Sequence, residues 1–292
     1  MPELPEVESL RKNLAQVLIE KTISDMQLLR QKSFPDFDQK KTLLIGQQFI
    51  DIRRKAKILD LVLSNDHHLL IHLKMTGQLI FVDKSGQRSG GGHPTADWVN
   101  QLPSKHTRVI FHLHDHRQRT SQLFFNDMRV FGWLKLAEPN QLSKEFIHYG
   151  PDVNDPQLSV NYLLTKAKNR QISIKQFIMD NQVLAGIGNI YASEALFRAK
   201  ISPLRKANSL SKIEMSRLLL EMRQVIETAI IFGGTTFDGH YVGVDGLAGS
   251  FQDELQVYGQ ENQICPNCGK DFKIKRIKLG GRSSFFCEHC QH

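Results

Sequence analysis

Cysteines occur at four positions, Cys265, Cys268, Cys287 and Cys290. Two Cys-x2-Cys pairs flank an 18-residue spacer, a spacing that brings four thiolates around one tetrahedral ion. Four protein ligands close the ion's coordination shell, so the chemistry predicted is a structural zinc and not a catalytic one. The spacer reads DFKIKRIKLGGRSSFF, in which Lys273, Lys275, Arg276, Lys278 and Arg282 are interleaved with Phe272, Ile274, Ile277, Phe285 and Phe286. A basic hairpin with apolar backing fits a nucleic-acid finger. The plainer reading is a solvated basic face.

A second chemistry is available at the N-terminus. The chain starts Met-Pro-Glu, and removal of Met1 leaves a secondary amine on Pro2. An α-amino group titrates near about 7.7–8.0, against about 10.4 for lysine, so far more of it is free base at neutral pH. A secondary amine that attacks a sugar aldehyde carbon gives an iminium that cannot shed its charge, which is a strong electron sink. Glu3 and Glu6 lie beside it as acid/base groups. Taken alone, a Pro-Glu start is an ordinary way to begin a helix.

These groups need elements to position them. Val7, Leu10, Leu14, Val17 and Leu18 recur at helical spacing over residues 5–18, with Pro5 and Glu6 suited to the first turn. From about 22 to 136 the chain breaks into short Val/Ile/Leu/Phe runs separated by turn residues, which predicts a β-sandwich or barrel. Residues 85–103 are Gly/Pro-rich and aperiodic and read as a long exposed loop. His67, His68, His112, His114 and His116 read as solvated strand ends, because their spacing matches no metal pattern.

After about 150 the period becomes helical. SIKQFIMDN and NIYASEALFRAK flank AGIG. Ser211-x-x-Glu214 is a capping box opening a helix with Met215, Leu218, Leu219, Met222, Val225, Ile226 and Ala229 on one face, which Gly233-Gly234 ends. Residues 235–262 read as a Gly-rich loop. The fold class is therefore multidomain α+β, divided as 1–136 (β-sandwich with a flanking helix), 137–240 (helical) and 241–292 (loop and four-cysteine finger).

With 292 residues the chain can bury a full core. Its formal charge of +8 points to a polyanionic partner, nucleic acid first and a membrane surface second. A hydrophobic content of 40% and a charged content of 23% exclude wholesale disorder. No apolar run approaches the roughly 20 residues of a membrane span, and MPELPEVESL lacks the basic and apolar regions of a signal peptide. Four late cysteines suit a metal site in a reducing compartment.

Taken in order, MPELPEVES, RRKAKILDL, HLKMTG, DMRVFG, KQFIMDNQVLAGIGNIYASEALFRAKISP, GGTTF…FQDELQVYGQ and the finger resemble the bacterial formamidopyrimidine-DNA glycosylase family over nearly the whole chain. The start PELPE is similar to this branch and not to the related endonuclease VIII branch, which starts PEGPE. The resemblance implies a helix–two-turns–helix in the helical domain. It also implies a bifunctional base-excision repair enzyme that removes oxidised purines (8-oxoguanine and formamidopyrimidines) and nicks the abasic strand by β,δ-elimination. The alternatives are an endonuclease VIII-like enzyme for oxidised pyrimidines, or a non-catalytic zinc-finger DNA-binding protein on the same scaffold.

Matched residue by residue, the resemblance makes Pro2 the Schiff-base nucleophile, Glu3 the proton donor and Lys57 an acid in the elimination that also reaches phosphate. Met75, Arg129 and Phe131 fill the hole left by the extruded base. Lys175 and Asn189 touch phosphates, and His106 and Arg170 make further DNA contacts. Arg282 is the finger arginine assigned to δ-elimination, although a guanidinium hardly ever gives up its proton and a bidentate phosphate clamp is the better physical account. Lys57, Lys175, Asn189 and Arg282 are expected to converge on one DNA cleft. Cys265, Cys268, Cys287 and Cys290 hold one zinc. The partner implied is double-stranded DNA with oxidised bases or abasic sites, met by a monomer in the bacterial cytoplasm. Two departures stand out: Val130 replaces an arginine of the family's usual DPRRFG, and FDGHYVGVDGLAGSF differs from the usual loop over the damaged base.

Overall fold

The computed structural model describes residues 2–93, 97, 101–235 and 249–292. Met1 and most of FDGHYVGVDGLAGSF lie outside the described residues. The chain divides into two compact units, one of residues 1–147 with 233–250 and one of residues 148–232 with 251–292.

The first unit opens with α1 (Leu4–Leu18). Glu3 is its N-cap, Pro5 sits in its first turn, and the Glu6 carboxylate accepts the Glu3 N–H at 2.7 Å. Leu4, Val7, Leu10, Leu14 and Leu18 form its buried stripe. The helix is followed by β1 (Thr22–Leu28), α2 (Phe37–Leu44), β2 (Phe49–Lys55), β3 (Ile58–Leu63), β4 (His68–His72), β5 (Gly77–Asp83), β6 (Arg88–Gly92), β7 (Thr107–His114), β8 (Thr120–Asp127), β9 (Trp133–Ala137) and the short α3 (Leu142–Phe146). The strands form two antiparallel sheets, ordered β1-β7-β8-β5-β6 and β2-β3-β4-β9. Period-2 alternation turns Val109, Phe111, Leu123 and Phe125 of one sheet, with Leu59, Leu61 and Ile71 of the other, into a common core with α1.

Two readings of the sequence are corrected here. Residues 88–92 are not part of a loop but form β6, paired along β5 from Val82↔Arg88 to Gln78↔Gly92. A strand of glycines has no side-chain period to read. It is glycine-rich because a Cβ on Gly90 or Gly92 would run into the β5 backbone, while the Gly90 carbonyl accepts from Asn13 of α1 at 3.3 Å. The histidines are not all solvated ends either. His68 is buried, with Nδ1 at 2.8 Å from Asp60 Oδ1, and His112 lies within β7, bonded to Gln27 and Gln122 of its neighbouring strands.

The second unit contains α4 (Val160–Ala167), α5 (Ile174–Ile178), α6 (Asn189–Arg198) and α7 (Lys212–Ile231). After them come the finger strands β10 (Ile264–Cys265), β11 (Gly269–Lys273), β12 (Lys275–Leu279) and β13 (Arg282–Phe286). The Ser211–Glu214 capping box opens α7, and all seven apolar residues expected on its inner face are buried. SIKQFIMDN yields only the short α5, capped by Ser173, and Gly188 caps α6. The finger packs with the helices: Phe197 of α6 shares a cluster with Val257, Cys265, Ile274, Phe285 and Cys287.

Candidate active site and nucleic-acid interface

The start of α1 is a tightly tied corner of the first unit. Pro2 and Glu3 are buried. Glu6 uses both carboxylate oxygens structurally: Oε2 takes the Glu3 N–H, and Oε1 takes the Thr235 N–H at 2.8 Å and its hydroxyl at 3.1 Å. Glu6 is thus a cap and tether more than a proton carrier. Gly233 and Gly234 follow α7 with φ of +75° and +88°, and a Cβ on Gly234 would meet Glu6 Oε1 at 2.6 Å. One turn into α1, Glu8 accepts from Arg54 Nε at 3.0 Å and from Arg11 Nε at 2.8 Å. Burial opposes ionisation of Glu8, and the two guanidiniums outweigh it and hold its carboxyl below the usual range. Arg54 Nη1 donates to the Ala56 carbonyl at 2.8 Å, which fixes the β2–β3 turn that carries Lys57. Lys57 is buried. Near it His72 is buried and held neutral: burial, then the charges of Lys74 and Lys57, push its pKa down to about 3.

The three side chains expected to fill a base-sized hole do meet. Met75 is 39% and Phe131 47% exposed, although both are apolar. The Arg129 guanidinium lies 4.9 Å over the Phe131 ring, and its Nη1 is 3.2 Å from Met75 Sδ. Lys32 adds a second cation 5.7 Å from the same ring. His106 belongs to this unit and pairs through Nδ1 with the buried Asp97 carboxylate at 2.8 Å.

In the second unit, Asn189, Arg282 and Lys175 line one cavity of about 190 Å³ together with Gln176, Met179, Leu279 and Gly280. Gly280 and Gly281, with φ of +56° and +78°, make the two-residue turn between β12 and β13 that presents Arg282. The exposed Arg282 guanidinium makes no hydrogen bond or ion pair to the described residues. Asn189 Nδ2 donates to the Ser283 carbonyl at 2.9 Å. Lys175 is only 2% exposed, and its ammonium bonds Ser193 Oγ and Ser284 Oγ at 2.9 Å and the Ser283 carbonyl at 3.2 Å. Through these bonds Lys175 braces α5, α6 and β13. Arg170 stands apart, paired with Asp180 at 3.2 Å.

The four sulfurs lie within 4.8 Å of one another, with Cys265–Cys290 at 3.9 Å and Cys268–Cys287 at 3.8 Å. A tetrahedron with bonds of about 2.3 Å has edges of this length, so the donor set fits a zinc-sized soft cation. Burial pushes the Cys268 thiol up to about 11 and the Cys290 thiol up as well, so a bound cation must expel protons.

Several residues of these sites were not evident from the sequence. Thr76, Asp127, Glu194 and Tyr258 lie within HLKMTG, DMRVFG, NIYASEALF and FQDELQVYGQ, but the sequence assigns none of them a role. Glu194 is buried on α6 and accepts the N–H groups of Gln256, Val257 and Tyr258, which brings the Tyr258 hydroxyl to 3.5 Å from Asn189.

Fold and site together define a class: multidomain α+β proteins with a helix-flanked β-sandwich and a helical unit braced by a four-cysteine finger. Three family models cover most of the chain. They are the formamidopyrimidine-DNA glycosylase N-terminal domain over residues 1–134, the formamidopyrimidine-DNA glycosylase H2TH domain over 149–240, and a zinc finger found in FPG and IleRS over 263–292. The formamidopyrimidine-DNA glycosylase of Vibrio atlanticus is 37% identical over 291 residues, covering 100% of both chains. Lactococcus lactis Fpg in complex with DNA containing an abasic site superposes with a TM-score of 0.86 at 27% identity, again over 100% of both chains. A point mutant of that enzyme bound to Fapy-dG DNA gives 0.86 at 28% identity with the same coverage. The chain belongs to the formamidopyrimidine-DNA glycosylase family.

Proposed function

We propose that this protein is a base-excision repair enzyme that removes oxidised purines from double-stranded DNA and then cuts the strand at the abasic site. The observation that carries the reading is the buried, capped start of α1, which offers Pro2 and Glu3 beside each other. The Pro2 nitrogen attacks C1′ of the damaged nucleoside, the glycosidic bond breaks, and the base leaves with a proton. Glu3 supplies a proton to the opening sugar. The resulting iminium acidifies the C2′ proton. Its loss expels the 3′ phosphate, and a second elimination expels the 5′ phosphate. Lys57 serves as an acid in these steps.

A base inside a duplex cannot reach this corner, so it must leave the stack. Met75, Arg129 and Phe131 occupy the space it vacates. Arg282 clamps a phosphate with Asn189 beside it, while Lys175 holds both of their supports in place. His106 and Arg170 add contacts to the backbone. The four cysteines hold one zinc ion, which supplies folding energy to a small hairpin and takes part in no bond-making step. On this reading the protein acts on DNA as a monomer in the bacterial cytoplasm, and its curated relatives are bacterial DNA glycosylases. Among the described residues no helix is long and apolar enough to cross a membrane.

Borohydride reduction on abasic DNA tests the proposal. The protein starting at Pro2 should give a covalent adduct, and the protein retaining Met1 should give none, because an amide lone pair is delocalised into its carbonyl. An equal adduct with Met1 in place would move the amine to Lys57, and no adduct at all would leave a DNA-binding protein without chemistry.

A further inference from the structure

The three side chains assigned to the vacated base position come from two turns far apart in sequence. Met75 stands on the turn between β4 and β5, and Arg129 and Phe131 on the turn between β8 and β9. One carboxylate holds both turns. Asp127, the last residue of β8, is 0% exposed. Its Oδ1 accepts from the Thr76 hydroxyl and from the Arg129 N–H at 3.2 Å. Its Oδ2 accepts from the Phe131 N–H at 2.8 Å and the Gly132 N–H at 2.7 Å. Thr76 Oγ1 itself accepts the Arg129 N–H at 3.0 Å, which closes the link. The Asp127 backbone completes the node: its N–H donates to the His106 carbonyl at 2.9 Å, and its carbonyl accepts from Arg108 Nε at 2.8 Å.

We propose that Asp127 is the positioning residue of the base-replacing wedge, fixing Met75, Arg129 and Phe131 against one another before DNA arrives. The inference rests on the wedge reading given above. Two exposed apolar side chains gain by folding back onto the protein surface, and rigid turns prevent that. Preorganisation of this kind lowers the ordering cost of binding. Two features of the turn show that the carboxylate dictates the backbone. Val130 has φ of +55°, a conformation a β-branched residue adopts only under constraint, and it lies between the anchored N–H groups of Arg129 and Phe131. Gly132 has no Cβ where one would lie 2.8 Å from the Phe125 ring and 3.1 Å from Asp127 Oδ2.

The node also demands a charge-bearing acceptor. Donors converge on both oxygens, so an asparagine of the same shape must turn its NH2 toward an N–H or toward the Thr76–Arg129 pair. Asp127→Asn therefore keeps the volume and breaks the positioning. Thr76→Val removes the hydroxyl at equal size, and Thr76→Ser restores it.

The test is single-turnover excision of an oxidised purine by the full-length, metal-loaded protein on three substrates: a paired duplex, the same lesion in an unpaired bubble, and a preformed abasic site. A 2-aminopurine opposite the lesion reports unstacking by its fluorescence. Asp127→Asn and Thr76→Val should slow duplex excision by roughly tenfold or more and blunt the fluorescence rise, because the cost of extrusion falls on the paired substrate alone. Both should spare the bubble and the abasic site, and Thr76→Ser should recover the duplex rate. Equal losses on all three substrates would make Asp127 a general fold residue and overturn the inference. So would unchanged duplex rates in both Asp127→Asn and Thr76→Val, or a Thr76→Ser protein as slow as Thr76→Val. Phe131→Ala separates the two levels. If it impairs duplex excision while Asp127→Asn does not, only the positioning role fails. If Phe131→Ala leaves duplex excision intact, the wedge reading fails and this inference with it. Should Asp127→Asn not fold, Thr76→Val and Thr76→Ser decide alone.

Discussion

The proposed chemistry gives Pro2 and Glu3 different work, and one conservative substitution tells the two roles apart. Glu3→Gln removes an acid beside the sugar while leaving the amine. Base excision should fall by about 10²–10⁴-fold, the usual worth of a positioned general acid. Nicking at a preformed abasic site should fall far less, as measured on the two substrates in parallel. Loss of both to the same extent would remove Glu3 from the proton-transfer role. His72 offers a residue-scale prediction about stability. Its folded pKa of about 3 lies below the unfolded value of about 6.5. The unfolded chain therefore binds more protons between these values. The contribution of His72 is fully present above about pH 6.5 and is lost as pH falls toward the folded pKa near 3. His72→Gln cannot titrate, so its urea midpoint should drop less between pH 7 and pH 4.5 than that of the parent. An identical acid limb in the two proteins would count against a buried neutral His72.

Elements in this chain are set by their ends. The Ser211 hydroxyl accepts the Glu214 N–H at 3.3 Å, while the Glu214 carboxylate takes the Ser211 N–H at 2.8 Å and pairs with Arg205. The bond to Arg205 comes first among the causes that hold the Glu214 carboxyl down at about 2. Ser211→Ala should cost about 0.5–2 kcal/mol of unfolding free energy by urea titration and leave the finger's metal content unchanged. The finger is the opposite case, an element held by its ligands. Its hairpin buries few residues of its own, among them Ile274, Phe285 and Phe286. Cys287→Ser should abolish zinc retention and weaken DNA binding while the helices and both sheets of the first unit stay folded, as read by metal analysis and circular dichroism. DNA affinity that survives complete metal removal would take the finger out of the grip.

At the scale of the whole molecule, charge predicts how binding responds to salt. The chain's +8 and Arg282, without a hydrogen bond or ion pair among the described residues, suit a partner whose phosphates release counterions on contact. Affinity for duplex DNA should fall log-linearly with salt, and Arg282→Ala should reduce the slope by about 0.9 if it neutralises one phosphate. Lys175→Met should act differently. It takes the ammonium from Ser284 and leaves the Ser283 carbonyl with Asn189 as donor, and so should destabilise the finger's seat more than it changes the slope. A slope unaltered by Arg282→Ala would deny that residue a phosphate.

Much of this protein is legible in sequence because the governing interactions are local. Cys-x2-Cys spacing, the Ser211–Glu214 box and the helical stripe of α7 act within a few residues of themselves, so reading along the chain finds them. The strand at 88–92 escapes such reading because glycine carries no period, and its place depends on β5 and α1. Lys175 is matched in sequence to a phosphate contact, and only the fold brings its ammonium to Ser284, 109 residues away. Asp127 opens the DMRVFG block without a role in sequence, and only the fold turns the hydroxyl of Thr76, 51 residues away, toward it. Sequence by itself determined the family, the four cysteines that could hold a metal and the residues proposed for the chemistry. Tertiary structure alone decided which charged groups are spent inside the protein and which remain for DNA, because that depends on donors and acceptors meeting across chain separations no local pattern encodes.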